Sequence, residues 1–188
     1  MKQTITRKGS FDSAHRVMNE RMKCFNVHGH TYLYELTFEF SSIEEIGYAI
    51  DFKEIKRVAC QWIDDVFDHG AVLNPKDTNV ILACEATKSK LWLMSLNGEG
   101  VYCNPSVENI AKELFLGVSY LTDNTILALQ KVRLWETPNC FTDCYKESIT
   151  TIEKENFLTK NRYQLAVYKA NKGIVEYDDR KLSVTSAT

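Results

Sequence analysis

His28 and His30 lie two residues apart in a stretch whose apolar residues alternate, so both imidazoles leave the same side of an extended chain. Their Cα atoms are then separated by roughly 6 to 7 Å, close enough for two ring nitrogens to meet one ion at about 2.0 to 2.1 Å. His15 stands late in the preceding extended segment, where antiparallel pairing would bring it alongside. Three neutral nitrogens with no evident fourth protein ligand describe a catalytic zinc with an open position. The same spacing equally suits a pair of surface or core histidines. Cys24 precedes His28 by four residues, with Arg21 and Lys23 beside it. A thiol there can act as a base or nucleophile if nearby positive charge favours the thiolate, and can equally be a structural cysteine. In Asp68-His69 an acid adjoins an imidazole, the pairing a proton shuttle needs, provided the loop lets the two face each other. Glu136 ends an otherwise apolar strand, and its carboxylate could accept two hydrogen bonds from a guanidine-like ring edge.

The elements that must position these residues follow from periodicity. Residues 3–16 have strand composition, with Gly9 and Ser10 as a bulge. Residues 28–40 alternate cleanly, placing His28, His30, Tyr32, Tyr34, Leu36, Phe38 and Phe40 on one face. The loop 18–27 between them carries Cys24. Asp51 is the N-cap of a helix, and Glu54 completes a capping-box pattern. The buried stripe of that helix is Phe52, Ile55, Ala59, Trp62, Ile63 and Val66, and it ends near Phe67. A second helix opens around Pro105 and Ser106, with Val107, Ile110, Ala111, Leu114, Phe115, Val118 and Leu121 as its stripe. Between the helices, 75–103 is an excursion with a short strand over 91–96. A strand over 126–136 turns at Pro138 and Asn139 into a shorter one over 144–149. In the tail, 162–168 alternates like a strand and turns at 171–173. Residues 174–177 return as a hairpin, and the last six residues fray. Strands grouped with strands and helices with helices predict an α+β fold with antiparallel pairing, in the order β-β-α-α-β-β.

The chain has 188 residues, 44% of them hydrophobic, with 23 basic and 25 acidic groups for a formal charge of −2. Such a composition is that of a globular domain. Without a basic field it gives no support to nucleic-acid or membrane-surface binding. No stretch reaches the roughly 18 to 20 apolar residues of a membrane span, and the N-terminus does not read as a signal peptide, so a cytoplasmic location is expected. The six cysteines include no CxxC pair and are expected to be reduced.

Six segments in order resemble the 6-pyruvoyltetrahydropterin synthase and 6-carboxytetrahydropterin synthase family. They are Phe11 to Arg16, Cys24 to His30, Ile50-Asp51-Phe52, Asp68-His69 to Leu73-Asn74, Pro105 to Asn109, and Glu136-Thr137. The resemblance spans about residues 5–149. It implies a tunnelling fold, an antiparallel four-stranded sheet with two helices on one face, whose copies close into a trimeric barrel and stack as a hexamer. It further implies 7,8-dihydroneopterin triphosphate as substrate and Zn2+ held by His15, His28 and His30. By the same carry-over, Cys24 is the general base, Asp68 and His69 form the proton relay, and Glu136 anchors the pterin with help from Ser106 and Glu108. The pocket would be shared between neighbouring subunits. The four-residue step from Cys24 to His28 looks like the carboxy-forming branch of the queuosine and 7-deazaguanine pathway; the pyruvoyl-forming branch is the alternative. A zinc-binding scaffold without catalysis, or a three-histidine metallohydrolase, are the remaining readings. Residues 1–149 form the expected domain, with 75–103 as an insertion and 150–188 as an extension.

Overall fold

The computed structural model describes residues 3–97, 103–123 and 127–173. β1 (Gln3–His15) and β2 (His28–Phe40) form an antiparallel ladder that runs without interruption from Gln3↔Phe40 to His15↔His28. No bulge occurs at Gly9 and Ser10. Gly9 instead lies under the Tyr34 hydroxyl, in the space a Cβ would need. The alternation of β2 is as expected: Tyr32, Tyr34, Leu36 and Phe38 are buried.

The helix after Asp51 comprises α1 (Phe52–Ile55), a π-helical segment (Lys56–Cys60) and α2 (Gln61–Phe67). Asp51 caps it by accepting from the Lys53 amide at 2.8 Å. Glu54 does not complete a capping box; its carboxylate pairs with Arg57 at 2.8 Å. Phe52 lies outside the buried stripe, half exposed, while Ile55, Ala59, Trp62 and Ile63 are buried.

β3 (Gly70–Leu73), α3 (Thr78–Thr87) and β4 (Lys90–Leu93) follow, with both short strands parallel to β1. α4 (Val107–Thr122) opens at its N-cap Ser106 and buries the expected stripe from Ile110 to Leu121, with Val107 only partly buried. Gly117 of α4 sits where the Trp62 ring leaves no room for a Cβ. β5 (Leu127–Thr137) pairs with β2, and β6 (Cys140–Tyr145) pairs with β5. The last hairpin strand therefore starts at Cys140, before the expected 144–149.

The sheet has six strands in the order β4-β3-β1-β2-β5-β6, not four, and it is mixed rather than wholly antiparallel. β4 overlaps the short strand expected over 91–96, whereas β3, four residues long and buried from Ala71 to Leu73, shows no alternation and escapes a period-two reading. The β-β-α-α-β-β order is likewise interrupted by β3, α3 and β4.

The expected C-terminal hairpin is replaced by α5 (Thr151–Asn171). It opens with a capping box: Thr150 Oγ1 accepts from the Glu153 amide, while Glu153 accepts from the Thr150 amide. Phe157, Asn161 and Leu165 are buried on one face at helical spacing. Residues 174–188, including the expected return strand and frayed end, lie outside the described residues, as does Ile126. The inserted and appended segments pack on each other. Phe157 meets Trp92 at 6.4 Å, and Asn156 and Asn161 donate to the Leu96 carbonyl and the Ser95 hydroxyl. Glu113 of α4, fully buried, accepts from the Ser95 amide, the Ser95 hydroxyl and the Trp92 indole. Among the described residues no helix is long and apolar enough to cross a membrane.

Candidate metal centre

His15 ends β1 and His28 begins β2, and the ladder sets them opposite each other; His30 is opposite Ser13. Residues opposite one another share a face, so all three imidazoles stand on the side that packs against the helices. Their ligand nitrogens lie within 4.8 Å of one another. The two Nε2 atoms of His15 and His28 are 3.1 Å apart.

Backbone carbonyls fix the tautomers. His15 Nδ1 donates to the Pro105 carbonyl at 2.8 Å, just before the N-cap of α4, and His28 Nδ1 donates to the Asn26 carbonyl at 2.7 Å. With each neutral ring's proton on Nδ1, neither Nε2 has a proton to share across the 3.1 Å gap, and both lone pairs face inward. His30 Nε2 is buried and without a hydrogen-bond partner. Three inward lone pairs of this kind suit a divalent transition metal, and the set fits zinc. Burial lowers the pKa of His15, reinforced by its two imidazole neighbours and opposed by Pro105 and Glu136, so the metal-ready neutral form is favoured.

Glu136, near the end of β5, brings Oε1 to 3.6 Å from His15 Nε2 and 3.9 Å from His30 Nε2. Its carboxylate borders the open side of the imidazole cluster. Tyr32, on the face it was expected to share with His28 and His30, meets the rings of His15 and His30 edge-on, and its buried hydroxyl has no hydrogen-bond partner. The residue two positions past His30 on the same face was the signal available for it.

Cys24 lies half-buried in a single 3-10 turn, Lys23–Phe25. Its sulfur is not part of the three-ligand group. Arg16, directly after His15, holds this turn: its Nε donates to the Phe25 carbonyl at 2.7 Å, and its guanidinium lies 4.1 Å above the Phe25 ring. Asp77, in the inserted segment, completes the hold by accepting from Arg16 Nη1 at 2.9 Å. Asn104 accepts from the Met18 amide and from Asn74, tying the start of the same loop to α4.

Asp68 and His69 do face each other, with His69 Nδ1 2.6 Å from Asp68 Oδ2. The loop achieves this with a left-handed backbone at His69, φ 55°, which costs a non-glycine residue about 1 to 2 kcal/mol. Its amide donates to the Asp12 carbonyl at 2.7 Å, and Asp68 Oδ1 accepts from the Asp12 amide at 2.8 Å. Burial alone would raise the Asp68 carboxyl. The Asp12 amide, His69 and the Lys90 ammonium outweigh it, and the net direction is down.

Among the described residues this pair lies outside the three-ligand group and makes no hydrogen bond to the three imidazoles. His69 borders a shallow depression of about 360 Å³ with Asp12, Ala14, Gly29 and Thr31, residues of the other face of the ladder, and with Ser13 and His30. His69 is 79% exposed, whereas His15 is 1% exposed. Ser106 spends its hydroxyl on the N-cap, accepting from the Asn109 amide, and Glu108 is exposed in the first turn of α4.

Residues 4–147 match the profile of a family described as 6-pyruvoyl tetrahydropterin synthase. A Rickettsia felis protein named 6-carboxy-5,6,7,8-tetrahydropterin synthase is 34% identical over 147 residues, covering 73% of this chain and 96% of that one. An uncharacterized Wolinella succinogenes protein shares the fold at a TM-score of 0.61 and 22% identity, over 78% of this chain and 99% of its own. The 6-pyruvoyl tetrahydropterin synthase of Caenorhabditis elegans does so at 0.54 and 21%, over 77% and 96%.

Proposed function

The chain belongs to the 6-pyruvoyl tetrahydropterin synthase family, and from that premise we propose that it converts 7,8-dihydroneopterin triphosphate and one water to 6-carboxy-5,6,7,8-tetrahydropterin, releasing triphosphate and acetaldehyde. The observation that carries the reading is the cluster of three imidazole nitrogens, with the tautomers of His15 and His28 set by the carbonyls of Pro105 and Asn26. The carboxy product is supported by the 34% identical relative that bears that name and by the short step from Cys24 to His28.

A zinc ion held by His15, His28 and His30 supplies Lewis acidity toward the hydroxyls of the substrate side chain. Cys24 takes a proton from that side chain as its thiolate. Glu136 accepts two hydrogen bonds from the pterin ring edge beside the cluster, with Ser106 and Glu108 at the α4 entrance contributing to the pocket wall. His69, oriented by Asp68, carries protons on the opposite side of the substrate as triphosphate leaves. The Asp68–His69 pair stands outside the ligand group of its own chain, and the relay of one copy serves the metal centre of a neighbour. This accords with a trimer-based barrel, most simply a hexamer, and the enzyme works in the cytoplasm.

The test is incubation of zinc-loaded protein with 7,8-dihydroneopterin triphosphate and identification of the products. The expected result is the 6-carboxy pterin with one acetaldehyde per turnover. A 6-pyruvoyl product without acetaldehyde would move the protein to the biopterin branch, and an unconverted substrate would overturn the reading.

A further inference from the structure

Lys90 opens β4 in the segment inserted between β3 and α4, opposite Gly70 in the β3–β4 ladder. A Cβ at Gly70 would stand 3.3 Å from the Lys90 Cβ and carbonyl oxygen, so glycine permits this close approach. The Lys90 ammonium donates to the carbonyls of Asp68 at 2.6 Å and Asp64 at 3.2 Å. These carbonyls end α2, where unpaired C=O groups concentrate negative partial charge, so the ammonium caps the helix. The Asp68 carbonyl also belongs to the peptide that joins Asp68 to His69. His69 keeps its left-handed backbone only while its surroundings hold it there. β1 grips one side through the Asp12 carbonyl on the His69 amide, and β4 grips the other through Lys90. The charged groups that meet the pair are Asp12 of β1 and Lys90 of β4, with Asp64 of α2 behind the shared ammonium.

We infer that Lys90 is a positioning residue for the Asp68–His69 pair: its ammonium locks the peptide between them, and with it the aim of the His69 imidazole and its hydrogen bond to Asp68. The catalytic consequence rests on the reading of that pair as the proton relay. The geometric consequence does not. Lys90 thereby gives the inserted segment a part in the chemistry, although it touches no substrate.

The experiment compares Lys90→Met and Lys90→Arg with the parent in the zinc-loaded protein, following metal content, kcat, KM and the titration of the Asp68 carboxyl by carbon NMR. In Lys90→Met the metal content and KM stay unchanged and kcat falls roughly tenfold, the scale of a misaimed catalytic group. Asp68 titrates at a higher pH, because it loses a nearby cation and its bond to His69 loosens. Lys90→Arg restores both. Should Lys90→Met not fold, Lys90→Gln keeps a donor without the charge and must raise the Asp68 titration in the same sense. An Asp68 titration that does not move overturns the inference, as does an unchanged kcat in Lys90→Met where His69→Ala is impaired. Full turnover in His69→Ala would instead overturn the relay reading, and the Asp68 titration then still decides whether Lys90 holds the pair.

Discussion

His15 and His28 present bare nitrogens to each other at 3.1 Å because both protons are committed to carbonyls on the far sides of the rings. Two lone pairs at that distance repel unless a cation lies between them. His28→Ala removes one of three donors, and two imidazoles make a poor site. The variant should therefore lose its zinc on dialysis against a weak chelator while the parent keeps it, as read by metal analysis. Cys24 is a different case, since its sulfur stands outside the ligand group and its turn is held by Arg16 and Phe25 rather than by the histidines. Cys24→Ala should retain zinc and lose roughly two to four orders of magnitude in turnover, the scale of a lost acid–base group. Zinc and activity lost together would make the thiol a ligand instead.

α5 shows how an element is decided by more than local alternation. Residues 162–168 alternate over a short window, but the stripe of Phe157, Asn161 and Leu165 recurs at helical spacing and is buried against the inserted segment. Thr150 and Glu153, three apart, form the capping box that opens this helix; that signal was present in the sequence and outweighs seven alternating residues. Where α5, β4 and α4 meet, burial pushes the Glu113 carboxyl up to about 7, against a usual value of 4.5. A group whose folded pKa is raised contributes stability below its unfolded pKa and loses it as pH rises through the folded one. Glu113 should thus cost the parent stability between about pH 4.5 and about pH 7. Glu113→Gln removes this component, so the melting temperature of the variant minus that of the parent should climb with pH across that window. A difference that stays flat would exclude Glu113 as the source.

For the molecule as a whole, β4 and β6 are the two edges of the sheet, and Leu93, Phe141 and Tyr145 are exposed along them. Open edges with apolar side chains invite pairing with another chain, and ring closure removes them. Sedimentation should accordingly give a trimer-based particle, and a monodisperse monomer would contradict the proposed barrel. A relay shared between copies leads to a sharper expectation. His28→Ala and His69→Ala proteins, each nearly inactive, should regain turnover when dissociated, mixed and reassociated, because some interfaces then pair an intact metal centre with an intact relay. No recovery in verified mixed particles would place both groups in one subunit's site.

What the sequence determined by itself is what depends on neighbours along the chain. The two-residue spacing of His28 and His30, the alternation of 28–40, the Asp51 cap and the stripe after Ser106 are all local, and each element formed where its pattern lay. The family, too, could be read from six short motifs in order, since each is contiguous. Only the tertiary structure decided what distant segments do to one another. β3 is too short and too buried to carry a period, and only the parallel pairing of β3 and β4 beside β1 reveals a six-stranded mixed sheet. The carbonyl of Pro105 reaches His15 across ninety residues, Asp77 reaches Arg16, and Lys90 reaches the peptide of Asp68 and His69. Hydrogen bonds between backbone groups and remote side chains leave no mark in residue type or spacing. The meeting of His15 with His28 across the β1–β2 ladder likewise exists only once the register is formed.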